Sequence, residues 1–323
     1  MKNQDQPWDY VGGWFEALEL RGEDVPIKFG RADLVTREVR WYTRPHRSFD
    51  GQGALTDIFL ELRYPVEAIP GGKSRPRPPA LQRFLAILRY LYRMRPQKVP
   101  WKRRDPSLRG ALGPISWEVL SPEQTRAIEE SARRIGVSLN SLLLQTLHRA
   151  AQQLLIGNNY RGTWMVPVNL RPIVRRSPET TNHSSYIGVP MHPQDPLPAV
   201  QKRIGRSLKR GDQWSAWWGI CLGKRLGIEG IQKFYDRYER RNHSWMGTMS
   251  NLGELNVPGA PENEAWIVRV PPTAGLPIGA GVLKFNGKLA LTLVLHRSVT
   301  SSAEEIQQVF ALWQEEISAT QRW

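Results

Sequence analysis

Apolar and polar positions alternate with two different periods along this chain, and the period changes where turn residues fall. Between residues 25 and 44, β-branched and aromatic residues alternate with Arg and Glu, which predicts extended stretches around Ile27–Phe29 and Leu34–Tyr42. The Asp50-Gly51 pair predicts a turn, and the apolar spacing after it predicts a helix from Ala54 to about Leu62. GGKSRPRPPA, residues 71–80, reads as a linker, and LQRFLAILRYLYRM reads as a basic helix over Leu81–Met94 that Pro96, Pro100 and Pro106 close. A second body opens near Pro114 with a strand at Ile115–Leu120. Ser121 as N-cap and Pro122 at the first helical position then start a helix to Arg134, which Gly136 ends. Ser138–Leu155 places Leu139, Leu142, Leu143, Leu147, Ala150, Ala151 and Leu154 on one broad helical face.

Further on, Thr163–Leu170, Met246–Ser250 and Ala265–Val270 read as extended, and Leu197–Arg210 and Ile228–Arg240 as helices. Asn286-Gly287 between two apolar runs is a hairpin signal. Ser301 with Glu304 predicts a capping box on a last helix to about Ser318. No internal repeat is visible, and the irregular alternation of strands and helices predicts an α/β body with mixed sheets. The expected division is a small N-terminal lobe over 1–70, a basic Pro-rich linker with a helix over 71–112, and a larger lobe over 113–323.

Composition changes this picture in two places. Cys221 is the only cysteine, so no intrachain disulfide forms and a reducing compartment fits. The opening MKNQDQPWDY lacks the apolar core of a signal peptide and no run reaches membrane-spanning length, so a cytoplasmic location is expected. The net charge of +15 is concentrated: residues 71–110 hold twelve Lys or Arg and one acid, Asp105. That segment reads as a solvated linker. Two other readings are a surface for anionic partners, such as coenzyme A phosphates or an acidic acyl carrier protein, and an interfacial helix on an anionic membrane through Leu81, Phe84, Leu85, Leu88 and Leu91. It has charge but no recognisable nucleic-acid module, so nucleic acid is not the expected partner.

Several chemical motifs fail on spacing. Gly72-Lys73-Ser74 lacks the earlier glycine of a phosphate loop, because Glu67 stands there. The six histidines never pair at ligand spacing on a helix, so no metal site is expected. No Gly-x-Ser-x-Gly elbow exists, and Cys221 reads as a buried inert thiol. His148 reads as a satisfied core histidine, His296 as a strand end facing water, and Trp214, Trp217 and Trp218 as core. RPHRSFDGQGALTDIF, residues 44–59, is different. It sets His46 at a strand end, an Asp50-Gly51 turn after it, and a helix after that. An imidazole is mostly an unprotonated base at neutral pH. Asp50 is suited to fixing the turn through an ion pair, and Gly51 and Gly53 to relieving steric limits. A plain surface turn is the bland alternative.

PHRSFDG resembles the HHxxxDG signature of the chloramphenicol acetyltransferase and condensation-domain superfamily, which includes wax ester synthases, alcohol acetyltransferases and polyketide-associated acyltransferases. The signature's second His falls on His46, and Pro45 replaces the first. SPEQTRAIEESARRIGVSLNSLLLQTLHRAAQQLL is similar to the helix pair that opens the family's C-terminal half. VPVNLRP (166–172) resembles its next strand, NHSSYIG (182–188) the Asn-containing stretch after it, and SNLG (250–253) a loop near the active-site channel.

The resemblance implies a two-lobed fold with a tunnel between the lobes. An acyl thioester on coenzyme A or a carrier protein enters from one side, and a small-molecule alcohol or amine from the other. His46 would be the general base, with no bound cofactor. The motif's Asp50 would pair with Arg171, and Ser250 and Asn251 would donate to the oxyanion. Arg47 beside His46 would lower its pKa. One departure stands out: only 45 residues precede His46, so the expectation is either a shortened N-terminal lobe with a less closed tunnel or a sequence that is a piece of a longer gene product. The competing expectation is a non-catalytic condensation-like binding or scaffold module.

Overall fold

The computed structural model describes residues 11–65, 79, 81, 84–85, 87–88, 96–111, 115–157, 159–171, 180–241 and 243–322. Nearly all of the 71–80 linker and most of the Leu81–Met94 helix lie outside these residues. Helix α1 (Gly12–Glu19) leads into strands β1 (Ile27–Asp33) and β2 (Val39–Arg44), followed by helix α2 (Gly51–Glu61). A short strand β3 (Gln97–Lys98) precedes β4 (Ser116–Leu120) and the helices α3 (Pro122–Ile135) and α4 (Leu139–Ala151). Then come β5 (Gly162–Asn169), β6 (Ser184–Met191), α5 (Leu197–Arg210), α6 (Asp212–Glu239) and the short β7 (His243–Ser244). Strands β8 (Gly247–Leu255), β9 (Glu264–Arg269), β10 (Ile278–Phe285) and β11 (Lys288–Leu295) and helix α7 (Ala303–Ala319) complete the chain.

Two sheets organise these elements. The larger has the order β4-β11-β10-β8-β5-β6, with β8 parallel to β10 and β5 and the other pairs antiparallel. The period-2 pattern of β10 divides its side chains. Ile278, Ala280 and Val282 pack with α3, α4 and α7, whereas Leu283 and Phe285 join a second core. That second core holds Phe29 of β1, Leu55, Ile58 and Phe59 of α2, and Trp266 and Val268 of β9. The smaller sheet, β2-β1-β9, takes its third strand from the C-terminal half. The N-terminal strands are therefore built onto the larger body.

Local signals account for most element boundaries. Ser121 accepts from the Gln124 amide and Gln124 returns the bond, a capping box with Pro122 at the first position. Gly136 closes α3 at φ 76°. Asn286 and Gly287 both take positive φ at the β10–β11 hairpin, as a tight primed turn requires.

The expectations fail where side chains compete for the backbone. The second extended stretch starts at Val39 and not at Leu34, because the Asp33 carboxylate accepts the amides of Val35 and Thr36 and turns the chain. The last helix is capped by Ser302, which accepts from Glu304 and Glu305; the Ser301 hydroxyl is held by Arg103. The helix after Ser138 ends at Ala151 and passes into a π turn, Gln152–Ile156. Helix α6 begins at Asp212, far earlier than Ile228, and kinks at Gly227. Strand β6 and helix α1 were not expected at all. Trp214 is core, packed with Leu170, while Cys221 is half-buried and not buried.

The second half of the basic segment is a strap on the body and not a solvated linker. β3 pairs with β7, Trp101 donates to Ser244 Oγ at 3.0 Å, and the Lys102 amide donates to the Leu155 carbonyl. Arg104 donates to Ser298 Oγ, and Ala111 bridges to His296. His296 is fully buried rather than facing water, with Nε2 2.8 Å from Glu23 Oε2. Among the described residues, no helix is long and apolar enough to cross a membrane.

Candidate active site

The loop from Pro45 to Asp50 is held both by its own hydrogen bonds and by bonds from the C-terminal half of the chain. Asp50 is the N-cap of α2: its Oδ1 accepts the Gly53 amide at 2.8 Å. The same oxygen accepts Arg171 Nη2 at 2.7 Å, and Oδ2 accepts the His183 amide at 2.8 Å. Both side chains of the ion pair are nearly buried, 9% and 6% exposed. Arg171 also donates to the Thr181 carbonyl at 3.0 Å, and Phe49 bridges to Thr181. Asn182, fully buried, donates from Nδ2 to the His46 carbonyl at 3.2 Å. The bonds that fix the His46 loop thus come from β5's end and the residues before β6.

The two glycines of the motif are required by close approach. A Cβ on Gly53 would sit 1.9 Å from the Thr180 carbonyl oxygen and 2.9 Å from Arg171 Nη2. A Cβ on Gly51 would meet Leu252 Cδ2 at 2.6 Å. Neither glycine is among those with positive φ, so they serve contact between the halves and not turn geometry.

His46 is half-buried in the turn after β2, and its Nδ1 lies 3.0 Å from the Phe49 carbonyl. A carbonyl only accepts, so Nδ1 carries the proton and donates it. Nε2 is left with a lone pair. Burial pushes the imidazole below its usual 6.5, against the opposing pull of the Phe49 carbonyl and Asp50. The direction agrees with the sequence reading but the cause does not: Arg47 turns to Glu19, 3.8 Å away, and burial does the work.

His46, Asp50, Gly51 and Gln52 line a cavity of about 130 Å³ together with Asn169, Arg171, Ser184, Thr248, Ser250 and Asn251. Val268, Arg269, Val270 and Pro271 at the end of β9 are also in the wall. Ser250 and Asn251 are adjacent on β8, so their side chains project to opposite faces. Asn251 Nδ2 donates to Asn140 Oδ1 at 2.7 Å on the helical side, and its Oδ1 accepts the Gly253 amide. One of its two Nδ2 hydrogens and its Oδ1 are therefore engaged, and Asn251 also lines the cavity. Ser250 shares the strand face of Thr248, and among the described residues its hydroxyl makes no hydrogen bond.

Two site residues escaped the sequence reading. Asn182 was visible only as part of a resembling stretch, and Gln52, which accepts from Asn169 Nδ2 at 2.7 Å, carried no pattern. His148 is a core residue but only half satisfied: Nδ1 accepts from Trp164 Nε1 at 3.0 Å, Nε2 is buried without a hydrogen-bond partner among the described residues, and burial takes its pKa to about 3.

This mixed-sheet arrangement is similar in fold to solved epimerization and cyclization domains of peptide synthetases and to an O-acetyltransferase. The EpoB NRPS cyclization–docking bidomain from Sorangium cellulosum superposes with a TM-score of 0.56 at 16% identity, over 87% of this chain and 59% of that one. The trichothecene 15-O-acetyltransferase from Fusarium sporotrichioides gives 0.53 at 11% identity, over 87% and 65%. Polyketide synthase associated protein 5 from Mycobacterium tuberculosis gives 0.51 at 14%, over 87% and 73%. This chain thus spans between 59% and 73% of those three chains' length. No family model and no curated protein matches the sequence.

Proposed function

We propose that the chain transfers an acyl group from a thioester to a hydroxyl or amine, with His46 as general base. The observation that carries this reading is the His46 ring itself: it borders the cavity, and the Phe49 carbonyl holds the proton on Nδ1 so that Nε2 is the basic nitrogen. Nε2 takes the proton of the acceptor O–H or N–H as that atom attacks the thioester carbonyl. The tetrahedral intermediate collapses with loss of the thiolate, which the imidazolium protonates. No covalent enzyme intermediate is formed, and Ser250 donates to the oxyanion. Asp50 and Arg171 hold the loop and do not take part in proton transfer. The folds that match it include an acetyltransferase and a peptide-synthetase cyclization domain, which suits acyl transfer. The donor is coenzyme A or an acyl carrier protein; the setting of the cyclization–docking bidomain and of the polyketide synthase associated protein suits a carrier.

The test is incubation of the whole chain with a panel of acyl thioesters and acceptor alcohols and amines, with free thiol as the readout. His46→Ala is expected to lower turnover by about 10²–10⁴-fold with circular dichroism unchanged. Undiminished turnover in that variant overturns the mechanism. Thioester binding without turnover in the native chain favours the non-catalytic binding module.

A further inference from the structure

The face of the His46 ring is covered by Phe15 of α1, with ring centroids 4.0 Å apart and planes inclined by 23°. At that spacing the two rings are in van der Waals contact, and the covered imidazole face loses its water. The Phe49 carbonyl and Phe15 restrain different motions. A hydrogen bond to Nδ1 at 3.0 Å fixes where the nitrogen points, and a ring stacked on the face opposes rotation out of the plane.

Helix α1 is itself held by contacts that do not involve the His46 loop. Trp14 Nε1 donates to the Ile220 carbonyl of α6 at 2.8 Å, and its ring stands edge-on to Phe234 and Tyr235. Gly223 leaves the space for this, since a Cβ there would be 2.3 Å from Trp14 Nε1. Arg21, just past α1, is bonded by Asp236 and Glu239 of α6. The remaining link, Arg47 to Glu19, is long and partly exposed, and such pairs contribute little.

We propose that Phe15 is a positioning residue for His46: α6 presents it, through α1, to hold the imidazole plane and keep water from one face. This rests on His46 being the general base of the proposed transfer. The charged groups around the ring are Asp50 on its own loop, Arg171 bonded to Asp50, Arg47 with Glu19 of α1, and Arg269 of β9, which is paired with Asp24 at 2.8 Å. None of them is altered by a change at Phe15. An aromatic face also attracts an imidazolium, which would favour the charged ring. Burial is the largest influence on His46, so loss of cover dominates.

The experiment is a proton NMR titration of His46 in the whole chain, assigned with His46→Gln, for native protein, Phe15→Ala, Phe15→Leu and Phe15→Tyr. Phe15→Ala is expected to raise the His46 pKa by about 0.5–1 unit, a fraction of what complete burial changes. Phe15→Leu, which keeps apolar bulk, gives a smaller rise and reads the effect if the alanine variant does not fold. Phe15→Tyr restores the native value. In turnover, Phe15→Ala moves the acid limb of the pH profile upward and lowers kcat more than it changes KM. A native titration in both Phe15→Ala and Phe15→Leu, or a downward shift, overturns the proposal. The two readings fail separately. If the titration moves but the native chain turns over no thioester, the positioning stands and acyl transfer falls. If the native chain is active and the variants keep its titration and pH profile, the positioning falls and acyl transfer stands.

Discussion

Arg171 reaches across 121 positions of sequence to place Nη2 2.7 Å from Asp50 Oδ1, and the same carboxylate oxygen caps helix α2. One atom thereby ties the end of β5 to the start of the helix that follows His46. Removing either partner strands the other in a buried site. Arg171→Ala is expected to cost about 3–5 kcal/mol, as for other buried pairs broken on one side. Urea unfolding of Arg171→Ala and Arg171→Lys checks this; a loss under about 1 kcal/mol, the range of exposed pairs, would refute a buried clamp.

Gly53 is the steric counterpart of that pair. A methyl group there collides with the Thr180 carbonyl, a backbone atom that moves only with its segment. At Gly51 the neighbour is the end of the Leu252 side chain, which yields more easily. Gly53→Ala is therefore expected to destabilise by about 1–3 kcal/mol and Gly51→Ala by less. Paired thermal melts rank the two, and the reverse order would contradict the packing described.

Turnover should have its acid limb below pH 6.5. The base acts only when neutral, and burial holds its pKa under the usual value. The rate rises with pH through that depressed pKa and is level across neutrality. Initial rates between about pH 4.5 and 8.5 test this (about two units either side of an ordinary histidine), and a limb centred at or above pH 6.5 speaks against a buried base.

The Glu23–His296 pair lies fully buried beneath the strap, and it gives the fold an acid-labile point. Burial works to raise the Glu23 pKa, but the hydrogen bond and charge of His296, with the Ala274 and Gly110 amides, hold it below its ordinary 4.5. A depressed folded pKa means the contribution is present above the unfolded pKa and disappears as pH falls through the folded one. Glu23→Gln is expected to lower stability near pH 7 and to reduce its loss below pH 4.5. Denaturant unfolding at pH 7 and pH 3.5 compares them; an equal acid loss in both proteins would exclude Glu23 as a contributor.

Signals confined to a few neighbouring residues were legible in advance. Ser121 with Pro122, Gly136, and Asn286-Gly287 act on backbone groups within four residues, so the sequence alone determined those ends and turns, the α/β class with mixed sheets, and the residues of the His46 turn. Even the partner of Asp50 could be named, through the resemblance around VPVNLRP. Where a local competitor went unweighed, as with Asp33 turning Leu34–Glu38 or Ser302 displacing Ser301, the reading slipped by a few residues.

Only the tertiary structure decided what surrounds the imidazole. Phe15 stacks on His46 from 31 positions away, Asn182 holds its carbonyl, and Asn251, which lines the cavity beside Ser250, donates to Asn140. It also turned His296 inward onto Glu23 and folded the basic 97–111 stretch into a strap. Such contacts depend on how two sheets and a kinked helix pack, and packing is set by shape and burial summed over the whole core. Residue spacing along the chain carries no record of that sum.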